Sequence, residues 1–150
     1  MATQMDLQAL IDQHDIAIGL GRFARILDGR EWDAVSDVFA DDVTFNYGDG
    51  QERSGIKAMT EQFSRFLDAC GPSQHLLGSI QVTVDGDKGL SRAYVQARHQ
   101  GKGDKAHIYL DSNGEYIDTW ERRPEGWRIV RRDVNWHMNM GDFSVLGAAP

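Results

Sequence analysis

The chain has 150 residues, 41% hydrophobic and 26% charged, which is the size and composition of one globular domain with a single core, read as residues 1–150. A net charge of −7 with no run of Lys or Arg excludes a nucleic-acid footprint, and no apolar stretch comes near the ~18 residues of a membrane-spanning helix. Cys70 is the lone cysteine, so neither an internal disulfide nor a cysteine zinc site can form; an N-terminus without the charged and apolar regions of a signal peptide gives the expectation of a soluble, cytoplasmic protein.

Apolar residues at Leu7, Leu10, Ile11, Ile18, Phe23, Ile26 and Leu27 predict a first helix over residues 6–27, with Asp6 as its N-cap. Ala17, Gly21, Ala24 and Asp28 share one of its faces. This stripe of small residues admits a close neighbour or a bound molecule, and it ends in a carboxylate. The last turn of a helix carries partial negative charge, so an Asp there costs a few tenths to ~1 kcal/mol unless something compensates. Gly29 suits the left-handed position after the helix end.

Residues 31–39 predict a short amphipathic helix through Trp32, Val35, Val38 and Phe39, followed by a solvated acidic loop at Asp41-Asp42. Val43–Tyr47 alternates as a strand and stops at the Gly48-Asp49-Gly50 turn. A third helix begins at Ser54, buries Ile56, Met59, Phe63, Phe66 and Leu67, and ends at Gly71-Pro72. From about residue 75 the pattern is all strand: Ile80–Val84, a turn at Asp85-Gly86-Asp87, 91–99, two extended runs around His107–Leu110 and Gly114–Arg122, and a last strand from Trp127 to about Met138. Helices first and an antiparallel meander afterwards predict an α+β domain, its helices covering one face of a curved sheet that leaves a pocket at its open end.

Among the five histidines, His14, His107 and His137 carry no distinguishing signal. His75 stands where the third helix gives way to the sheet, and His99 shares the inward side of its strand with Ala93, Val95 and Ala97. Arg132 falls in an apolar series with Val130, Val134, Trp136 and Met138, where a guanidinium needs a carboxylate or an anionic ligand. The alternative is a β-bulge that puts Trp127 and Ile129 inside and Arg132 outside. Tyr47 closes the first strand and can offer a phenol hydroxyl. No glycine-rich phosphate loop, nucleophile elbow or zinc motif is present, which points away from nucleotides, metals, cofactors and covalent catalysis and toward acid–base chemistry by His and Asp.

Leu27-Asp28-Gly29-Arg30-Glu31-Trp32-Asp33, Val38-Phe39-Ala40-Asp41-Asp42-Val43, His75-Leu76-Leu77-Gly78 and the closing run from Trp120 to Ile129, in this order of helices and strands, resemble the SnoaL-like branch of the nuclear-transport-factor-2-like superfamily over roughly residues 5–140. The resemblance implies a cone-shaped, cystatin-like roll. It is nearest to the cofactor-free lyases: scytalone dehydratase, bile-acid 7α-dehydratase and hexachlorocyclohexane dehydrochlorinase. By that likeness Asp28 and His75 are the catalytic pair, Tyr47 and Arg132 assist, and His99 matches a second histidine. Phe23, Trp120 and Trp136 are expected to line the pocket. Where those enzymes carry a further Tyr or Lys near the end of the first helix, this chain has Phe23 and Leu27, which leaves open the group that protonates the leaving atom.

The implied reaction is a dehydratase-type elimination on a small-to-medium cyclic substrate, with His75 as base oriented by a buried Asp28. An isomerase, cyclase or retro-aldol lyase on the same pair, and a non-catalytic β-subunit of an aromatic-ring dioxygenase, are the alternatives. The likeness also implies a homotrimer, with Arg92, Tyr94, Gln96 and Arg98 at the interface. The C-terminal Phe143–Leu146 is expected to fold over the pocket mouth as a lid.

Overall fold

The computed structural model describes residues 7–147; the proposed N-cap Asp6 lies outside them. Helix α1 spans Leu7–Gly29 and a 3-10 turn follows at Trp32–Asp37. Strands β1 (Phe39–Asn46) and β2 (Arg53–Ser54) precede helix α2 (Ile56–Leu67), and four long strands complete the fold: β3 (Ser73–Asp85), β4 (Lys88–Gln100), β5 (Tyr109–Arg123) and β6 (Gly126–Gly141). They form one curved, unclosed six-stranded sheet in the order β2-β1-β6-β5-β4-β3. The sheet is mixed rather than wholly antiparallel, because β1 runs parallel to β6. No described helix is long and apolar enough to cross a membrane.

The helices lie in the hollow of this sheet. Ile16, Leu20, Phe23, Ile26 and Leu27 of α1 are buried with Met59, Phe63 and Leu67 of α2 against Phe39, Phe45, Val95, Tyr116, Trp120 and Ile129. Each such side chain contributes about 1.5–3 kcal/mol by leaving water, so the apolar stripe of α1 is what holds the helix across the sheet. The close approach is made by Gly19, where an added Cβ would lie 2.9 Å from the Trp120 ring; around Gly21, in the expected small-residue stripe, there is open space.

Two irregularities reconcile patterns that looked contradictory as sequence. In β6, Thr119 pairs with Arg131 but Trp120 pairs with Ile129, so Val130 is bulged. The bulge shifts the alternation by one residue and turns Trp127 and Ile129, then Arg132, Val134 and Trp136, toward the same side. The anticipated bulge therefore exists, yet it buries Arg132 instead of exposing it. In β3 a shift between Gly78 and Gln81, with Ser79 in the left-handed region at φ 47°, does the same for His75 and Leu77 against Val82 and Val84.

Further boundaries move for local reasons. The helix predicted over 31–39 shortens to one 3-10 turn because Phe39 already pairs with Ile129 of β6. Asp41 and Asp42 lie exposed on β1, not in a loop, and Asp42 binds Arg123. The N-cap of α2 is Gly55, not Ser54. The residue with a left-handed backbone after α1 is Arg30 at φ 54°, not Gly29.

Candidate functional site

At the open end of the sheet, the last turn of α1 meets the first residues of β3. Alternation along β3 points Ser73 and His75 the same way, and both reach Asp28. His75 Nδ1 lies 2.6 Å from Asp28 Oδ1, the His75 backbone N–H donates to Asp28 Oδ2 at 3.0 Å, and the Ser73 hydroxyl donates to Oδ1 at 3.0 Å. Partial burial works against the charge on Asp28, but the His75 ring, the His75 backbone N–H and Ser73 together hold its carboxyl below the usual range. An ionised carboxylate only accepts, so Nδ1 carries the proton and Nε2 is left free.

The His75 side chain is 5% exposed, whereas that of Asp28 keeps 23%. Asp28 is therefore half-buried rather than buried, because it stands at the rim where α1 ends, beside a shallow groove lined by Arg30, Asp68 and Lys102.

His75 forms part of the wall of a cavity of about 100 Å³. Leu27, Phe63, Phe66, Leu67, Ala97 and Leu146 make most of it apolar, and Tyr47, Gln62, His99, Ser112, Tyr116 and Trp136 supply polar atoms. Among the described residues, no Lys, Arg, Asp or Glu lines it. The His99 ring meets the His75 ring edge-to-face at 5.4 Å. His99 Nδ1 lies 3.0 Å from the Leu110 carbonyl, which can only accept, so Nδ1 holds the proton and Nε2 is an acceptor. Burial pushes His99 down to about 4, against the pull of the Leu110 carbonyl, and it is neutral near pH 7.

Tyr47 closes the cavity on the side of β1. Its place depends on Gly48, which takes φ +86° and lies so near Trp136 that a Cβ would come within 2.7 Å of the indole; the indole N–H in turn donates to the Tyr47 carbonyl at 3.0 Å. Burial raises the Tyr47 phenol, with Arg132 opposing, so the hydroxyl remains a donor at neutral pH. Arg132 sits behind it. Its Nε and Nη2 each donate to Asp118 at 2.7 Å, and Nη1 is 3.5 Å from the Tyr47 hydroxyl. Arg132 and Asp118 are both 0% exposed. The guanidinium carbon lies 4.0–5.0 Å from the ring centres of Tyr116, Phe23 and Phe39. Burial alone would push Asp118 up, but its two-pronged partner cannot lose its proton, and the pair is ionic.

The structure thus gathers His75, Tyr47, His99 and Trp136 at one cavity, with Asp28 bonded to His75 from outside the lining and Arg132 behind Tyr47. It does not bring Phe23 or Trp120 there. Phe23 is a core residue packed on Arg132, and Trp120 is buried against Gly19, its indole N–H bonded to Ser91 at 2.8 Å. A large aromatic near the right segment does not say toward which end of the hollow its ring points. Ser73, Ser112, Tyr116 and Asp118 were missed. The alternation Ser112, Gly114, Tyr116, Asp118, Trp120 contained the signal: an acid in one inward series asks for the cation in another. Leu146 reaches the cavity from the 3-10 turn Phe143–Leu146, whereas Phe143 is exposed. Among the described residues, no group of three or more His, Cys, Asp or Glu could hold a metal ion.

The chain belongs to the SnoaL-like domain family, whose sequence profile matches residues 8–133, and so to the nuclear-transport-factor-2-like superfamily. It is 28% identical to the uncharacterised protein Mb2934c of Mycobacterium bovis over 134 residues, 87% of this chain and 88% of that one. Among solved structures, an aromatic ring hydroxylase candidate from Novosphingobium aromaticivorans superposes with a TM-score of 0.78 at 27% identity, covering 95% of this chain and 99% of the other. A scytalone dehydratase candidate from the same organism gives 0.76 at 18% identity, with 87% of each chain covered. The last of these likenesses speaks to the fold alone.

Proposed function

We propose that this SnoaL-like protein is a cofactor-independent lyase that eliminates water from an uncharged, ring-bearing hydroxy-carbonyl compound. The observation that carries the reading is the 2.6 Å Asp28–His75 contact in the wall of an apolar cavity. Asp28 fixes the tautomer and stabilises the imidazolium, and His75 Nε2 removes a proton from the carbon beside the carbonyl. Positioned base catalysis of this kind contributes about 10²–10⁴-fold.

The electrons of the broken C–H bond pass toward the carbonyl oxygen, where the Tyr47 hydroxyl, polarised by Arg132, donates a hydrogen bond. As they return, the C=C bond forms and the C–O bond to the leaving hydroxyl breaks. His99 Nε2, an acceptor, orients that hydroxyl through its O–H. With no Lys or Arg in the cavity lining, the His75 imidazolium is the acid at hand. It returns its proton to the departing oxygen, and water leaves. This answers the absence of a Tyr or Lys at Phe23 and Leu27. Arg132 acts through Tyr47, since Nε and Nη2 are taken by Asp118 and Nη1 faces the Tyr47 hydroxyl. A lining without charged side chains favours a neutral ligand, because desolvating an unpaired carboxylate costs several kcal/mol or more.

The test is turnover of cyclic β-hydroxy ketones followed by mass spectrometry. Loss of water that disappears in His75→Ala supports elimination. A product of unchanged mass assigns the pair to isomerisation, and loss of formaldehyde to retro-aldol cleavage. The likeness to an aromatic ring hydroxylase candidate favours a second reading, a buttressing subunit of an oxygenase. That role has no use for a free imidazole nitrogen in a cavity, and stable co-purification with an iron-containing chain would establish it. The exposed side of β4 with Arg92, Tyr94, Gln96 and Arg98 remains our proposed trimer interface, to be checked by light scattering.

A further inference from the structure

We propose that Arg30 and Ser73 form a hydrogen-bond relay that sets how strongly Asp28 grips His75; they are positioning residues for the base assigned above, and the inference rests on that assignment. Arg30 has a left-handed backbone at φ 54° although Gly29 precedes it, a conformation costing roughly 1–2 kcal/mol in an L-residue. Four contacts hold it there. Nη1 donates to the Leu27 carbonyl at 2.6 Å and to Ser73 Oγ at 2.8 Å, and Nη2 donates to the Gly71 carbonyl at 2.7 Å and approaches Cys70 Sγ at 3.2 Å. The first caps the end of α1, and those to Gly71 and Cys70 tie the segment entering β3 to the helix. The contact to Ser73, the first residue of β3, leads on to Asp28.

Its direction is forced. A guanidinium has only donors, so Ser73 Oγ accepts from Arg30, and the one hydroxyl proton goes to Asp28 Oδ1 at 3.0 Å. That same oxygen takes the Nδ1 proton of His75 at 2.6 Å, while Oδ2 takes the His75 backbone N–H. Oδ1 is therefore shared between two donors, one of them polarised by a full positive charge behind it. Chains of hydrogen bonds polarise one another in this way. The relay draws electron density from Oδ1, limits the pull of Asp28 on the Nδ1 proton and pins the carboxylate plane that aims the ring. Ser73 and His75 both serve it because alternate residues of β3 face the same side.

The probe is the Nδ1 nitrogen of His75, observed by NMR in protein labelled with 15N-histidine and assigned by the signal lost in His75→Ala. With Ser73→Ala, Oδ1 loses a donor, becomes more basic and pulls harder on the proton, so the Nδ1 resonance moves downfield. Arg30→Gln, which removes the charge behind Ser73, moves it in the same direction. Ser73→Thr keeps the hydroxyl and restores the original position. Ser73→Ala removes a single half-buried hydroxyl and keeps the fold, so it stays informative even where Arg30→Gln loosens the end of α1. An Nδ1 resonance unmoved by Ser73→Ala overturns the relay, as does a Thr variant that behaves like Ala. The measurement needs no substrate. A protein inert toward every β-hydroxy ketone sinks the proposed elimination and leaves this result standing, and an unmoved resonance leaves the turnover test as it was.

Discussion

Asp12 and Asp28 lie on the same helix, and each carboxylate reaches across to the sheet. Asp12 takes two hydrogen bonds from Arg122, at 2.9 and 2.7 Å, and others from Trp127 and Gln8. Arg122 is held in turn by Asp87 and stacks 4.7 Å over Trp127. Asp12 is 2% exposed, and neither it nor Arg122 lines the cavity that His75 borders. The work of this network is to fasten the first half of α1 to β5 and β6. Asp28 is just as fully bonded, but its main partner is an imidazole with a second nitrogen on the far side of the ring. An arginine ends the chain of contacts; a histidine passes it on to whatever fills the cavity. The same pairing of acid and base is closed at one end of the helix and open at the other because of what the partner has left to offer.

That contrast can be broken in order of decreasing effect. Asp28→Asn is expected to lower turnover about 10²–10⁴-fold while its thermal unfolding stays within about 1 kcal/mol of the parent; a stable protein with near-parental rate removes Asp28 from the chemistry. Asp118→Asn leaves the fully buried Arg132 charge without its counter-ion and is expected to cost roughly 3–5 kcal/mol in denaturant unfolding, and Tyr47 loses its support with it. Asp12→Asn reverses the pattern of Asp28→Asn, destabilising without a direct effect on rate.

The size of the Asp12 effect follows from linkage. Hydrogen bonds from Arg122 lower its carboxyl from the ordinary 3.8 to about 2, against burial. The unfolded chain binds the proton first as pH falls, so the contribution is complete above about pH 4 and is lost between there and about 2. It amounts to about 2 kcal/mol, and urea titrations of the parent should lose that increment across this window while Asp12→Asn does not. The smallest effect is expected from Gly19→Ala. The new methyl meets Trp120, an overpacking cost of about 1–3 kcal/mol that the better helix propensity offsets by up to ~1.

Much of the site was legible as sequence because its outliers are chemical. A carboxylate in the last turn of a helix and an arginine among apolar strand residues both announced partners. The partner of Asp28 is His75, as the family likeness implied. Arg132 found Asp118, which the alternation of β5 held in plain view. Ser73 was not legible, since one serine at a strand start has no distinguishing pattern. Nor was Arg30, whose left-handed backbone contradicts the usual preference for the neighbouring glycine. Of the expected rings, Trp136 reaches the cavity and Trp120 and Phe23 do not, because periodicity gives the side of an element and not the distance along the hollow.

By itself the sequence determined the class of fold, the two main helices, the meander and the residue types available for acid–base chemistry. All of these follow from local periodicity and from the cost of placing charge at a helix end or in an apolar series. Tertiary structure alone decided the register. The bulge at Val130 put Arg132 inside with Trp127 and Ile129, the shift after Gly78 kept His75 and Val82 on one side, and the parallel pairing of β1 with β6 carried Tyr47 to the cavity beside Arg132. A one-residue slip in a strand reverses every side chain beyond it. Which of two plausible faces is buried is therefore settled by packing across the whole sheet and not by any stretch of it alone.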